Sequence, residues 1–203
     1  MICQVIDGMF DSRFLTELDY KLRDLPVHTN NVANRSSWPY RYEGTHRLFG
    51  QTIFKRNSIN RITTLDENAS VFFDIFEQIE KRFDKKLYLY EISINCQHTG
   101  CNGSTHIDSE TEGEYTVMLM TNSHWDPSWG GQFQLTKGNE VVEEHEYVPG
   151  RLLIIPATHE HRGLGPKKEY VYRYTLVYRI RYLEEIVGLV YSLLKLFTLI
   201  TAI

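Results

Sequence analysis

Apolar residues recur at helical spacing in two segments of the first half of the chain. Residues 11–25, DSRFLTELDYKLRDL, place them at intervals of three and four behind an Asp that is suited to cap a helix. Residues 65–83, LDENASVFFDIFEQIEKRF, show the same spacing. The pattern predicts two amphipathic helices, with buried sides formed by Phe14, Leu15, Leu18, Leu22 and Leu25 and by Val71, Phe72, Ile75, Phe76, Ile79 and Phe83.

After residue 86 the pattern changes to short β-rich runs. The runs are LYLYEISIN, EYTVMLMTN, GQFQLT, RLLIIPA and YVYRYTLVYRI, and they are separated by turn sequences such as GCNG, DPSWGG, KGN and PGR. Because helices come first and closely spaced strands follow, the order argues against alternating βαβ units. We predict a mainly β fold with flanking helices, a double-stranded β-helix (jelly roll, cupin-like) with its N-terminal helices packed on one sheet.

The chain of 203 residues is long enough for one buried domain and does not require two. We expect a single domain with an N-terminal helical support over residues 1–86, the jelly-roll core over 87–182 and an apolar C-terminal helix over 183–203. Residues 34–50, NRSSWPYRYEGTHRLFG, carry no period and are predicted to form a long loop.

The tail of residues 186–203 is apolar except for Lys195 and a few small polar residues. A helix needs about 17 to 25 such residues to cross a bilayer, so this segment is at the lower limit. We favour packing of the tail on the domain, or on a second copy in a homodimer, over contact with a membrane.

Charge and cysteine content narrow the choice of partners and compartment. The chain has 22 Lys and Arg against 26 Asp and Glu, a formal charge of −4, which argues against nucleic acid as a general partner. The cysteines are Cys3, Cys96 and Cys101, an odd and sparse set, and the N-terminus lacks a basic region followed by a long apolar run. We therefore expect a reducing, cytoplasmic location.

The stretch HIDSE, residues 106–110, carries the first candidate chemistry. His106 and Asp108 are two positions apart in a β-rich region, and side chains at that spacing project from one face of a strand. His159 and His161, at the end of a later apolar run, offer a third ligand. Two imidazoles and one carboxylate with open positions are typical of a non-haem Fe(II) oxygenase site.

A zinc knuckle is the competing metal site. In CQHTGCNGSTH the candidate ligands are Cys96, His98, Cys101 and His106. We regard zinc as the weaker alternative, because Cys101 lies in a Gly-rich turn and Cys96 at the end of a strand, where a free thiol needs no metal.

Four segments in order resemble a known family. THID, EYTVMLMTNSHWDPSWGGQFQL, VPGRLLIIPATHEHRG and RYTLVYRI look like the catalytic core of the 2-oxoglutarate and Fe(II)-dependent dioxygenases, in the prolyl-4-hydroxylase-like branch. The resemblance covers about residues 88–182, and TNSHWD followed by GG is especially similar to the hypoxia-sensing prolyl hydroxylases. It implies His106, Asp108 and His161 as the iron ligands, and His161 is preferred to His159 because HRGLGP matches the family's distal-His segment.

The resemblance also implies a cosubstrate site. Arg173 would form the salt bridge to the far carboxylate of 2-oxoglutarate, to which its planar fork is suited, and Thr175 would add a hydroxyl. Met120 stands where the hypoxia sensors place a Tyr that helps to hold the cosubstrate, so Asn95 or Gln97 is a candidate substitute. The segment between His161 and Arg173 is longer than in those enzymes, which leaves three weaker candidates for the carboxylate role, Lys167, Lys168 and Arg179.

By resemblance, the protein is expected to be an enzyme that hydroxylates a C–H bond, with Fe(II), 2-oxoglutarate and O2 as cofactors, ascorbate as a candidate reductant, and succinate and CO2 as products. A protein or peptide, with prolyl residues favoured, is the expected substrate. Asp108 favours hydroxylation over halogenation, because the related halogenases have a small residue there. The alternatives are a hydroxylase of a small molecule or free amino acid and a non-catalytic cupin-like metal-binding protein. Arg173 discriminates against the latter, which needs no carboxylate clamp.

Two aromatic groups are candidate walls of the substrate entrance. The predicted loop carries Arg35, Trp38, Tyr40, Arg41 and Tyr42, which either close over a peptide as a lid or cover a helix. Trp125 and Trp129, near the Gly130-Gly131 hairpin, either flank the entrance or pack at a sheet edge.

Overall fold

The computed structural model describes residues 2–29, 48–57, 61–65, 69–83, 85–138 and 140–183. Both predicted helices form, as α1 (Ser12–Arg23) and α2 (Ser70–Glu80). Asp11 caps α1, because its side chain accepts a hydrogen bond of 2.8 Å from the backbone N–H of Phe14. The two helices bury Leu15, Leu18 and Leu22 and Phe72, Ile75 and Ile79, as the apolar spacing predicts.

The rest of the described chain is mainly β. The strands are β1 (Gln4–Ile6), β2 (His28–Thr29), β3 (Phe49–Arg56), β4 (Ile62–Leu65), β5 (Leu87–Gln97), β6 (Glu114–Met120), β7 (Phe133–Lys137), β8 (Glu140–His145), β9 (Leu152–Pro156), β10 (His161–Gly163) and β11 (Arg173–Tyr182). The large sheet has the order β1-β9-β6-β11-β5-β3-β2, with β4 paired to β3, and the small sheet has the order β10-β7-β8. Two antiparallel sheets with helices on one side confirm the predicted jelly-roll class.

The expectation that residues 1–86 are helical support is wrong in one respect, because four strands lie there. β1 pairs with β9, and β3 pairs with β5, so the N-terminal segment extends the large sheet on both edges. Phe49 and Gly50, placed in the loop by the sequence analysis, begin β3. The β3–β5 register shifts between Thr52 and Phe54, which explains why the strand shows no simple alternation.

Two parts of the sequence analysis lie outside the described residues. One is the stretch 34–47 with its five candidate lid residues, and the other is residues 184–203, nearly all of the predicted C-terminal helix. Within the described ranges, no helix is both long and apolar enough to cross a membrane.

Strand alternation directs one set of side chains to the helices and the other to the small sheet. On β11, Tyr174, Leu176 and Tyr178 join the cluster that contains the buried sides of α1 and α2. Val177 joins a second cluster with residues of β6, β7 and β9, between the two sheets. Arg173 is four positions before Val177 on β11, so its side chain projects from the same face of the large sheet. This face therefore directs polar side chains into the space between the sheets.

Candidate metal centre and its cavity

Three side chains with metal-binding atoms meet between the two sheets. One ligand atom from each of His106, Asp108 and His161 lies within 4.8 Å of the other two. Nε2 of His106 is 3.6 Å from Oδ1 of Asp108, and Nε2 of His161 is 3.5 Å from Oδ2. Ligands held at about 2.0–2.2 Å from one ion are separated by about this much, so the three atoms fit a single metal. Elsewhere in the described residues, no three His, Cys, Asp or Glu side chains form such a group.

Backbone hydrogen bonds bring the ligands together. The N–H of His106 donates to the carbonyl of His161 at 3.0 Å, and the N–H of His161 donates back at 2.9 Å. The N–H of Asp108 donates to the carbonyl of Ala157 at 2.9 Å. Where the sequence analysis places HIDSE in a β-rich region, the residues form an irregular segment with one bridge at His106. The two ligands two positions apart therefore converge through pairing with β10, and not through a regular strand.

Both imidazoles are held in the tautomer that binds a metal through Nε2. Nδ1 of His106 is 2.8 Å from the carbonyl oxygen of Ser104, and Nδ1 of His161 is 2.8 Å from that of His159. Because a carbonyl oxygen only accepts hydrogen bonds, each Nδ1 must carry the hydrogen. Each Nε2 then faces Asp108 and carries a lone pair when its imidazole is neutral, which is the outer-sphere arrangement of metal-binding histidines.

The charges of the group also suit a metal. Burial opposes ionisation of Asp108, but Arg179, His161 and His106 outweigh it and hold the pKa of the carboxyl well below its usual range. Burial lowers the pKa of His161 to about 4. Burial also disfavours the charged form of His106, but the hydrogen bond and the charge of Asp108 prevail and raise its pKa. The group thus offers an ionised carboxylate and a neutral His161, the forms in which these side chains ligate metals.

Two further side chains fix the carboxylate. The hydroxyl of Thr116 on β6 donates to Oδ2 of Asp108. Nη2 of Arg179 on β11 donates to the backbone carbonyl of Asp108 at 2.6 Å, and its Nη1 lies 3.4 Å from Oδ1. The sequence analysis missed the role of Thr116, and it considered Arg179 only as a binder of 2-oxoglutarate. The parity of Thr116 with Met118 on β6 is the one sequence signal that places it on this face.

The group lies in the wall of a cavity of about 860 Å³, measured with its open mouth. The other lining residues are Leu48, Thr52, Lys55, Glu91, Ser93, Asn95, Gln97, Gly103, Thr116, Met118, Phe133, Gly163, Arg173, Thr175, Val177 and Arg179. Polar residues of β5 and β11 dominate one wall, while Met118, Phe133 and Val177 supply apolar surface. The cavity therefore presents both polar and apolar surface beside the metal group.

Arg173 is a buried cation in this cavity, with 1% of its surface exposed. Its Nε donates to the carbonyl of Gly131 at 2.8 Å, and its Nη1 donates to Oε1 of Gln97 at 2.7 Å. Nη2 is buried and has no hydrogen-bond partner among the residues that the structure describes. Burial lowers the pKa of Arg173 to about 10, so the guanidinium remains charged at neutral pH.

Thr175, two positions along β11, presents a second unsatisfied group. Its Oγ1 is buried and finds no hydrogen-bond partner within the described part of the chain. Buried polar atoms without partners are rare in folded proteins, and a cation and a hydroxyl together would both be satisfied by a carboxylate. Asn95 lies opposite Thr175 in the register of β5 and β11 and lines the same cavity.

The remaining candidates of the sequence analysis lie away from the metal group. Met120 is fully buried and packs in the cluster that holds Trp125 and Tyr147, and Met118 takes the place on β6 that faces the cavity. The backbone N–H of Lys167 donates to the carbonyl of Trp129 at 2.7 Å, and among the described residues neither Lys167 nor Lys168 lines the cavity. His159 uses its backbone carbonyl to hold His161 and is not part of the metal group.

The cysteines do not form the alternative zinc site. Cys96 points to the helix side of the large sheet, where burial raises the pKa of its thiol to about 11. Sγ of Cys101 lies 3.1 Å from Nε2 of His98.

Trp125 packs against Tyr147 and donates from Nε1 to the carbonyl of Gly130 at 3.0 Å, which favours the sheet-edge interpretation of this residue.

Sequence comparison finds no relative, while structural comparison finds many. No protein-family model matches the chain, and no curated protein matches it. A 2OG-Fe(II) oxygenase family oxidoreductase from Burkholderia pseudomallei is 16% identical with a TM-score of 0.64, over 89% of this chain and 85% of that one. A Trichoplax adhaerens prolyl hydroxylase in complex with a hypoxia inducible factor peptide fragment is 17% identical with a TM-score of 0.59, over 91% and 85%.

HygX from Streptomyces hygroscopicus, a structure with nickel and 2-oxoglutarate bound, is 10% identical with a TM-score of 0.59, over 90% of this chain and 83% of that one. At these identities the likeness concerns the fold. The chain has the fold of the 2OG-Fe(II) oxygenases and resembles their prolyl hydroxylase branch, with a His-Asp-His group between the sheets.

Proposed function

We propose that the protein is a 2-oxoglutarate-dependent Fe(II) dioxygenase that hydroxylates a C–H bond. The observation that carries the proposal is one cavity that contains both a three-ligand metal group and a buried guanidinium with an unpartnered Nη2. A metal site alone would fit many proteins. The buried guanidinium of Arg173 can donate hydrogen bonds to a carboxylate, and this favours a cosubstrate with an anionic end.

His106, Asp108 and His161 would hold the iron, and Arg173 with Thr175 would hold the far carboxylate of 2-oxoglutarate. When bound, the iron and its cosubstrate supply the activation of O2 and the oxidation of the C–H bond, with release of succinate and CO2. The protein orients these groups. Three protein ligands on one ion leave positions for other ligands.

The residues around the group support a catalytic role over simple metal storage. Thr116 and Arg179 contact the two oxygens of Asp108 and so orient the carboxylate. The side chains of Met118, Phe133 and Val177 supply apolar surface to the cavity wall. A protein that only binds metal gains nothing from burying Arg173, because removal of a charge from water costs several kcal/mol unless a partner compensates. We therefore place the cupin-like binder second.

For the substrate, we propose a prolyl residue in a protein or peptide. Its support is the resemblance of TNSHWD and GG to the prolyl hydroxylases and the peptide bound to the structurally similar Trichoplax adhaerens enzyme. A panel of proline-containing peptides and free amino acids, assayed by substrate-dependent succinate formation, separates this proposal from a small-molecule hydroxylase.

The cofactor assignment is tested by an anaerobic titration of the metal-free protein with Fe(II) and then 2-oxoglutarate, followed by the visible metal-to-ligand charge-transfer band. We expect a band only with both components, its loss in His106→Ala and a higher 2-oxoglutarate requirement in Arg173→Ala. Arg151→Ala is the matched control, since Arg151 pairs with Asp7 and does not line the cavity. Folded, metal-loaded wild-type protein without a band would contradict the proposal.

A further inference from the structure

We infer that Gln97 is a positioning residue, which fixes the orientation of Arg173 for the far carboxylate of 2-oxoglutarate and joins it to the segments that carry both histidine ligands. The inference rests on the proposed function. It concerns an amide that the sequence analysis considered only as a direct contact to the cosubstrate.

Gln97 ends β5 directly opposite Arg173 in the register with β11, and 2% of its surface is exposed. Its Nε2 donates to the carbonyl of Cys101 at 2.7 Å and to the carbonyl of Gly163 at 2.9 Å. Its Oε1 accepts from Nη1 of Arg173 at 2.7 Å. An inverted amide would set its oxygen against two carbonyls and its N–H groups against a guanidinium, so only this orientation is satisfied.

The same bonds exclude direct recognition of a carboxylate by Gln97. An amide has two N–H donors, and both are used by the carbonyls of Cys101 and Gly163. A carboxylate accepts hydrogen bonds and needs a donor. Gln97 therefore acts on the cosubstrate through Arg173.

Gln97 helps to hold the guanidinium of Arg173 in one orientation before a carboxylate binds. The carbonyl of Gly131 holds Nε and the oxygen of Gln97 holds Nη1, and Nη2 remains without a partner. A planar fork held at two nitrogens has little freedom left to lose when a carboxylate binds, and such pre-organisation improves affinity.

Gln97 also connects the carboxylate clamp to the metal group. Gly163 lies two residues after His161 in β10, and its carbonyl accepts from Gly103 at 2.8 Å as well as from Gln97. Cys101 and Gly103 lie in the segment that leads to His106. One amide thus joins β11 with both of the chain segments that supply imidazoles.

The test compares Gln97→Met with wild-type protein and with Gln134→Met, a control at another buried amide that accepts a hydrogen bond from an arginine, Arg162, but does not line the cavity. Three quantities are measured: the Kd of Mn(II), the Kd of 2-oxoglutarate from the charge-transfer band of the Fe(II) protein, and the Kd of 2-oxopentanoate. The last compound has the same chain length and keto acid but lacks the far carboxylate.

We expect Gln97→Met to raise the Kd of 2-oxoglutarate about tenfold while the Kd values of Mn(II) and 2-oxopentanoate stay within about threefold of wild type. Gln97→Glu is the second variant. Its carboxylate would pair with Arg173 in competition with 2-oxoglutarate, so it should raise the Kd of 2-oxoglutarate by more than Gln97→Met does. Gln134→Met should change none of the three Kd values. A merely structural amide would weaken all three together.

Equal losses for the two keto acids, or an unchanged Kd of 2-oxoglutarate in either folded variant, would overturn the inference. Wild-type protein without a charge-transfer band would instead overturn the proposed function. The two failures are therefore distinguishable in one set of titrations.

Discussion

The guanidinium of Arg179 contacts Asp108 at two points. Its Nη2 donates to the backbone carbonyl of Asp108 at 2.6 Å, and its Nη1 lies 3.4 Å from the carboxylate oxygen Oδ1. Only 6% of the Asp108 side chain is exposed. In the absence of a metal, Arg179 is the principal cation that keeps this carboxylate ionised. A divalent metal would supply a second counter-charge to the same carboxylate.

We therefore predict that Arg179→Met lowers the free energy of unfolding of the metal-free protein by about 3 kcal/mol, because it leaves a buried charge uncompensated. Saturating Mn(II) should stabilise the variant more than wild type. Denaturant unfolding with and without Mn(II) measures both effects. Arg13→Met, which breaks an exposed pair with Glu17, is the control and should cost less than about 1 kcal/mol. Equal losses in the two variants would contradict the role of Arg179.

The second prediction separates the two histidines of the HEH sequence. His161→Ala should weaken Mn(II) binding by more than about 100-fold, because it removes a ligand and not an outer-sphere partner. His159→Ala should leave the Kd of Mn(II) within about threefold, since only the backbone carbonyl of His159 contacts the site in the described structure. Fluorescence or calorimetric titration gives both constants, and the reverse order would show that the ligand assignment is wrong.

The third prediction concerns the unsatisfied hydroxyl of Thr175. Thr175→Val keeps the shape and removes a buried oxygen that has no partner, so the free energy of unfolding should stay the same or rise slightly. The Kd of 2-oxoglutarate should rise about tenfold, which corresponds to about 1.5 kcal/mol for one hydrogen bond to a charged group. Thr116→Val should instead raise the Kd of Mn(II), because the hydroxyl of Thr116 donates to the ligand Asp108. A Thr175→Val variant that loses stability and keeps its 2-oxoglutarate affinity would contradict the assignment.

Five strands after residue 86, β5, β6, β7, β9 and β11, could be predicted from the sequence because each buries one or both faces and is bounded by turn residues. β10 was missed because it has three residues and is defined by its pairing with β7. β8 was missed because it is an edge strand of mostly exposed residues, including Val141 and Val142, so it has no apolar alternation. Short edge strands of this kind depend on tertiary pairing more than on local pattern.

The ligands were predictable because their chemistry and order are encoded locally, in HID and in HEH. The positioning of Arg173 was not, because Gln97 and Gly163 are far apart in sequence and meet only through the pairing of the strands. Asp108 illustrates the same limit: the sequence shows the carboxylate but not that Thr116 and Arg179 hold its two oxygens. The sequence shows directly which residues can bind a metal. The side chains that orient those residues come from distant parts of the chain and are known only once the fold is known.

The last prediction concerns Met120, which the sequence resemblance places where the hypoxia-sensing enzymes are expected to carry a cosubstrate-binding Tyr. Here Met120 is fully buried beside Trp125 and Tyr147, and its Sδ accepts a hydrogen bond of 3.2 Å from the N–H of Val148. Met120→Tyr should therefore lower the free energy of unfolding by about 1 to 3 kcal/mol through overpacking, without tighter binding of 2-oxoglutarate.

Met120→Leu conserves volume and is the control, with an expected cost below about 1.5 kcal/mol. Denaturant unfolding and the charge-transfer titration measure the two properties in each variant. A Met120→Tyr protein of unchanged stability and higher 2-oxoglutarate affinity would mean that a side chain at this position reaches the cosubstrate.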